Sequence, residues 1–313
     1  MGEEPCSSPR RKVPGRESSV MVSQDFPYCE HNGTFYLTQQ ERSMKKPSST
    51  WLLILIFTLG LGILLYPIVS NWWNSKVQSQ VITEYETVLH NIDSEDYSAY
   101  FDQADAFNEK LLEMKEPIYH VKELVEYDEI LKIPGTDVMG YLDIEKLRVS
   151  LPIYHSTSDD VLSVGVGHLK GSSVPVGGPG THCALSAHRG LPSSKLFSDL
   201  DQMEIGDLFT ITVLDRLLTY QVDDIQIVLP KEVEHLKIYE DEDYVTLITC
   251  TPYGINTHRL LVRGTRVDNV KVKPQIYVPN EAIKVDPLIV APIVAIPILI
   301  LVMIVESIKY RKR

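Results

Sequence analysis

Two long apolar runs stand out from the hydrophobic and polar pattern of the chain. Residues 51–69 and residues 287–305 each form 19 consecutive positions without a charged side chain. A helix of this length is roughly 28 Å long, which is about the thickness of the hydrocarbon core of a bilayer. The second run contains three prolines, which membrane helices tolerate better than soluble ones. The pattern therefore predicts two transmembrane helices.

Basic residues flank both runs and predict their orientation. Lys45 and Lys46 precede the first run, and a cluster of Lys and Arg at 309–313 follows the second. Since positive flanks stay in the cytoplasm, we expect a two-pass protein of the cell membrane with both termini inside and the intervening residues extracellular. Trp72 and Trp73 follow the first run where a signal peptide would carry small residues, which favours an uncleaved anchor.

The pattern of apolar and turn-forming residues between the two runs changes near position 140. Helical spacing of apolar residues covers 76–132, with two further short helices expected at 161–171 and 195–200. Short runs rich in Val, Ile, Leu and Tyr, separated by turn residues, predict a mainly β domain, either a closed barrel or a sandwich. The predicted strands are 140–144, 149–153, 182–187, 208–213, 218–228, 244–250 and 259–267.

The chain accordingly divides into seven segments. They are a disordered cytoplasmic tail (1–50), a transmembrane helix (51–69), an N-terminal helical region (70–139), a β domain (140–270), a linker (271–286), a second transmembrane helix (287–305) and a basic cytoplasmic tail (306–313).

Charge and cysteine content exclude some classes of protein. The net charge of −12 argues against nucleic acid as a partner, because phosphate binding needs a basic surface.

Four cysteines in 313 residues exclude a small disulfide-stapled fold. Two of them lie in the tail, so Cys183 and Cys250 remain outside, either as a disulfide or as one reactive and one packed thiol. The spacing of His182, Cys183 and His188 fits no common zinc pattern, so we expect neither a metal nor a cofactor.

Three residues at predicted strand ends suggest nucleophilic chemistry. Cys250 ends the strand 244–250, and His188 follows the strand 182–187, where it can serve as a general acid or base. Arg259 begins a strand that would lie antiparallel to the Cys250 strand, offering a permanent positive charge to an oxyanion. His258 is an alternative candidate for the base.

The segments that carry these residues match a known pattern. The sequences TLITC (246–250), SAHRG (186–190) and NTHRLLVRG (256–264), in this spacing, resemble the sortases, which are membrane-anchored cysteine transpeptidases of Gram-positive bacteria. The resemblance is closest to class C, the pilin-polymerising sortases, which often carry a second membrane helix. It implies an eight-stranded sortase-type β-barrel with N-terminal helices, flanked here by two transmembrane helices.

The resemblance also implies residue roles. Cys250 would be the nucleophile, His188 the acid and base, and Arg259 the third catalytic residue. We further expect Thr249, Thr251 and Leu191 to contact the substrate.

The implied reaction is an acyl transfer at the cell surface. The thiolate would cleave an LPxTG-like sorting signal of a pilin or surface protein between Thr and Gly. A lysine amine of another pilin would then resolve the thioacyl enzyme. Three alternatives remain open: anchoring of surface proteins to peptidoglycan, hydrolysis by a cysteine protease, and a non-enzymatic adhesion or scaffold protein on a degenerate sortase fold.

Class C sortases usually carry a lid with an Asp-Pro-aromatic motif, and this chain departs from it. The nearest candidate is Glu116-Pro117-Ile118-Tyr119. As a lid, Glu116 would pair with Arg259, and Ile118 or Tyr119 would cover Cys250. The alternative is that Pro117 only ends a helix.

Overall fold

A computed structural model describes residues 48–92, 96–114 and 116–269 of the chain. Residues 1–47 of the predicted cytoplasmic tail, the whole linker at 271–286, the predicted second membrane helix at 287–305 and the basic tail at 306–313 lie outside the described residues.

The first helix, α1, is a single long element that changes character along its length. It covers Ser48–His90, and most of its apolar positions from Leu55 to Val69 are exposed. Further along, Tyr85 and Leu89 are buried against the β domain. Within the described residues α1 is the one helix long and apolar enough to cross a membrane, and its most apolar 18-residue stretch has a mean hydropathy of 2.0. This finding fits the first of the two predicted spans.

Eight strands follow and close into a barrel. They are β1 (Val138–Ile144), β2 (Val149–His155), β3 (Val166–His168), β4 (Thr181–Ser186), β5 (Leu208–Val213), β6 (Arg216–Val228), β7 (Asp243–Thr251) and β8 (His258–Val267). Their order around the barrel is β1-β2-β3-β4-β7-β8-β6-β5, with β5 pairing β1. The closed eight-stranded barrel expected from the sequence is confirmed.

The remaining helices are short or lie before the barrel. Helix α2 (Asp96–Glu113) packs Phe107 and Leu111 into the main core, and three 3-10 turns follow it, the first at Pro117–Tyr119. Helix α3 covers Asp159–Val164. The helix predicted over 161–171 was therefore wrong in its second half, which forms β3. The helix predicted over 195–200 was also wrong, since 3-10 structure appears only at Leu200–Gln202.

The parallel pairing of two barrel strands positions the candidate site. Strands β4 and β7 are parallel, with Ser186 opposite Ile248, whereas β7 and β8 are antiparallel. Both β4 and β7 are buried along nearly their whole length, as is typical of parallel strands covered on two sides. Because parallel strands exit the sheet at the same edge, the segments after β4 and at the end of β7 emerge side by side.

Candidate active site

The sheet register brings the three predicted catalytic residues together. Cys250 lies two residues after Ile248, and His188 lies two residues after the Ser186 that pairs with Ile248. On the other side of β7, Cys250 is directly paired with Arg259 of β8. Neighbouring strands lie about 4.8 Å apart, so His188 and Arg259 flank Cys250 at one edge of the barrel.

Two hydrogen bonds join the exit of β4 to the end of β7. The backbone N–H of Ala187 donates to Ile248 O at 3.2 Å, and Thr249 Oγ1 donates to Ala187 O at 2.9 Å. These bonds extend the parallel pairing to the residue just before His188. The position of His188 beside Cys250 is therefore set by paired backbone.

The guanidinium of Arg259 is held close to the loop between β7 and β8. Its Nη1 donates to Asn256 O at 3.2 Å and to His258 O at 3.1 Å. A guanidinium has five N–H donors, so these two bonds leave others for a substrate oxygen. The alternative base, His258, is paired with Thr251, and strand alternation turns its side chain to the face opposite Cys250.

The two cysteines of the β domain differ in their environment. Cys250 is partly exposed at the strand end, whereas Cys183 lies inside the barrel with 2% of its surface accessible. Both are free thiols, so the disulfide alternative is wrong. Burial raises the pKa of the Cys183 thiol well above its usual value, which disfavours a thiolate there.

The three residues predicted to contact substrate are buried or partly buried. Thr249 and Thr251 are buried on the strand face opposite Cys250, and Leu191 packs against the main core. The hydroxyl of Thr249 is already donated to Ala187 O. The burial of Thr249 and Thr251 favours a supporting role for these two side chains, whereas contact of the partly buried Leu191 with substrate stays a prediction.

An apolar surface lies on the same sheet face as Cys250. We call it the outer cluster, because its members point away from the barrel interior. Ile248 precedes Cys250 on that face and pairs with Leu261, as Cys250 pairs with Arg259. The cluster therefore adjoins the thiol of Cys250. Its members are Ala184, Val228, Leu236, Ile248 and Leu261.

The candidate lid segment packs on the outer cluster through Ile118. Glu116 adopts a left-handed backbone conformation with φ 58°, and Ile118 packs against the cluster as a partly buried side chain. Behind it, a Cβ on Gly171 would come within 2.8 Å of Ile118 Cα, so the segment fits closely only against glycine. Tyr119 is 62% exposed. Within the described residues no ion pair joins Glu116 to Arg259.

Arg189 lies in the same loop as His188, and the sequence did not predict a role for it. Its side chain is 9% exposed and forms an ion pair with Asp201. Its Nη1 lies 3.5 Å from Thr251 Oγ1, and its guanidinium lies 6.0 Å from the ring centroid of Tyr253. Arg189 therefore links the segment after His188 to the segment after Cys250. Nothing in the local sequence distinguishes it from a surface arginine.

Comparison with known proteins agrees with the motif and the barrel. The family model described as Sortase domain matches residues 142–267. Sortase C1 of Streptococcus agalactiae is 45% identical, with a TM-score of 0.57, covering 61% of this chain and 100% of that one. Sortase C of Streptococcus pneumoniae is 43% identical, with a TM-score of 0.55, covering 60% and 97%.

A curated relative matches over a shorter stretch. Sortase D of Bacillus subtilis (strain 168) is 29% identical over 131 residues, which are 41% of this chain and 63% of that protein. The match thus spans less than two thirds of the curated relative, whereas the solved sortase C1 is covered along its whole length. With the barrel and the converging Cys250, His188 and Arg259, these matches show that the chain belongs to the sortase family, and within it to the class C sortases.

Proposed function

We propose that this chain is a membrane-anchored cysteine transpeptidase that joins pilin subunits. The observation that carries the proposal is the register of β4, β7 and β8, which flanks Cys250 with His188 and Arg259. A thiol, an imidazole and a permanent cation at one strand edge are the groups that acyl transfer through a thioester requires.

The first half of the reaction cleaves the sorting signal. The Cys250 thiolate attacks the carbonyl carbon between Thr and Gly of an LPxTG-like sequence, and an oxyanion forms. When the tetrahedral intermediate collapses, the C–N bond breaks and protonated His188 delivers its proton to the departing Gly amine. The acyl group is then held on sulfur as a thioester.

The second half transfers the acyl group to an amine. Neutral His188 accepts a proton from a lysine side chain of another subunit as that nitrogen attacks the thioester. The thiolate leaves, and an isopeptide bond joins the two subunits. No cofactor takes part in either half, because every proton moves between the imidazole and the two amines.

Arg259 stabilises the oxyanion in both halves. Its strand pairing with Cys250 fixes the backbone of the two residues relative to each other. Only part of the guanidinium is engaged with the carbonyls of Asn256 and His258, so its other N–H groups remain for the developing charge.

The outer cluster is the surface that accepts the apolar residues of the sorting signal. It adjoins Cys250 on the same sheet face, and Ile118 occupies it in this structure. The segment 116–119 acts as a lid whose apolar side chain is Ile118. Substrate binding therefore requires Ile118 to withdraw.

The membrane arrangement follows from α1 and from the sequence pattern. One long apolar N-terminal helix fits a membrane anchor with the β domain outside the cell. We propose that residues 287–305 form a second span, which would leave both termini in the cytoplasm and hold the enzyme at two points of the bilayer.

A transfer assay on the full chain in detergent micelles tests the proposal. An LPxTG-type peptide is supplied with and without a lysine-containing pilin peptide, and the ligated product is quantified. We expect amine-dependent ligation that Cys250→Ala abolishes and that His188→Ala lowers about 100-fold or more.

The buried thiol provides the matched control. Cys183→Ala should keep more than about half of the wild-type rate, since a small buried thiol acts as a packed apolar group. Cleavage to free acid with no ligated product would support a protease instead. Equal losses in the two cysteine variants would contradict the assignment of Cys250.

A further inference from the structure

The helix that leaves the membrane segment contacts the loop that carries His188. Four hydrogen bonds join α1 to residues 193–195. Ser70 Oγ and Asn74 Nδ2 donate to Ser193 O at 3.3 and 2.7 Å, Gln78 Nε2 donates to Ser194 Oγ at 3.3 Å, and Lys195 N donates to Asn71 Oδ1 at 2.7 Å. These bonds span more than 115 positions in sequence, so they are tertiary contacts.

The contacting residues form one face of α1. Positions 70, 74 and 78 are four residues apart and position 71 lies three before 74, which places the four residues along one side of a helix. Gln78 is buried, and it also donates to Val164 O at 3.0 Å. Trp72 and Trp73, in contrast, are 57% and 62% exposed on other faces. The polar face therefore begins where the apolar segment of α1 ends.

The contacted loop is closed on His188 itself. The N–H of Phe197 donates to His188 O at 3.2 Å, and the N–H of Gly190 donates to Ser198 Oγ at 3.0 Å. The loop 188–198 is thus tied at its base to the catalytic histidine and at its tip to α1. A shift of the tip moves the backbone that carries the imidazole.

We propose that Asn71, Asn74 and Gln78 are positioning residues for His188, so that the anchor helix is part of the scaffold of the active site. The inference rests on the proposed function, in which His188 is the acid and base. Geometry of this kind matters because a misplacement of about 1 Å can cost a catalyst about 100-fold in rate.

The two asparagines have opposite hydrogen-bonding roles, which makes a specific test possible. Asn71 accepts a bond from Lys195 N, so Asn71→Asp keeps the acceptor and Asn71→Leu removes it. Asn74 donates to Ser193 O, so Asn74→Asp removes the donor and sets a carboxylate against a carbonyl oxygen. Gln80→Glu is the matched control, since Gln80 is exposed on the same helix.

The experiment uses the full chain in lipid nanodiscs. Transpeptidation is measured as kcat and KM against pH, and hydrogen exchange is measured at the amides of Lys195 and Phe197. We expect Asn71→Leu and Asn74→Asp to lower kcat about tenfold, to change its pH dependence, and to leave KM little changed. Both should speed exchange at Lys195 and Phe197.

The conservative and control variants separate positioning from folding. Asn71→Asp and Gln80→Glu should retain the wild-type pH profile and exchange rates, and melting temperatures show whether each variant is folded. Wild-type profiles and wild-type exchange in Asn71→Leu and Asn74→Asp would overturn the inference. If the wild-type chain itself forms no ligated product, the proposed function fails, and the exchange rates alone then decide whether α1 holds the loop.

Discussion

Burial separates residues of the same type into different roles. Cys183 and Cys250 are both free thiols, but only the second reaches the surface. His168 and His182 are likewise enclosed, with Nε2 of His168 bonded to Ser173 O at 2.9 Å and Nδ1 of His182 bonded to Lys237 O at 2.9 Å. His188 lies partly exposed at the strand exit. The thiol and the imidazole that are accessible to substrate are therefore those at the strand ends.

The enclosed histidines predict that acid weakens the fold. Burial lowers the pKa of both His168 and His182 from 6.5 to about 4, because a charged imidazole is poorly solvated at a buried site. The unfolded chain therefore binds more protons between pH 6.5 and 4, and the free energy of unfolding falls as the pH falls through that window. Each histidine contributes about 2 kcal/mol of loss at pH 5.

Thermal unfolding of the full chain in detergent at pH 7 and pH 5 checks this expectation. His182→Gln should show a smaller drop in melting temperature between the two pH values than wild type, because one of the two groups no longer titrates. His90→Gln, at an exposed position of α1, should behave as wild type. An unchanged drop in His182→Gln would show that the imidazole does not set the acid response.

The sequence predicted which three residues meet at one strand edge, but not the groups packed around them. Cys250, His188 and Arg259 could be predicted because each lies at a strand end within a distinctive motif, and their catalytic roles stay a prediction. The burial of Arg189 was not predicted, because it depends on contacts with Asp201 and Tyr253, which lie in other segments of the chain. The left-handed turn at Glu116 determines whether Ile118 or Tyr119 faces the outer cluster. The local sequence does not predict that turn.

Among the elements, the segment at 116–119 has a testable consequence. Ile118 packs on the outer cluster, which adjoins Cys250 on the same sheet face, so removing its side chain should make the thiol more accessible. Loss of about 1 kcal/mol of apolar contact shifts the closed population about fivefold. We therefore expect Ile118→Ala to raise the rate at which a small alkylating reagent modifies Cys250 by about fivefold, measured by peptide mapping.

Two further variants sharpen the lid test. Gly171→Ala should act in the same direction, because its Cβ would collide with the backbone of Ile118. Tyr119→Ala should leave the rate unchanged, since that ring is mostly exposed. Equal alkylation rates in wild type, Ile118→Ala and Gly171→Ala would rule out a lid at this segment.

At the element scale, long strands were predictable and the shortest was not. The strands β5, β6 and β7 carry runs of β-branched and aromatic residues, and their predicted bounds lie within two residues of those observed. Strand β3 has three residues, with a glycine at its centre, and forms because β2 and β4 flank it. The parallel pairing of β4 with β7, which creates the site, joins segments about 60 positions apart and leaves no local signal.

At the scale of the whole molecule, one continuous helix links the predicted anchor to the barrel. The exposed apolar part of α1 continues into a part whose Tyr85 hydroxyl donates to Met139 O at 3.2 Å and accepts from Leu214 N at 2.8 Å. The barrel is thus held to the helix by buried contacts. This arrangement suits an enzyme that must present one strand edge to substrates at a membrane surface.

The central claim is that Cys250 carries the acyl group between two subunits, and intact mass spectrometry tests it most directly. The full chain is mixed with an LPxTG-type peptide in the absence of an amine. The account predicts a mass gain equal to the peptide up to its Thr, mapped to Cys250, retained in Cys183→Ala and discharged by a lysine peptide. An adduct on another residue, or continued peptide cleavage by Cys250→Ala, would contradict it.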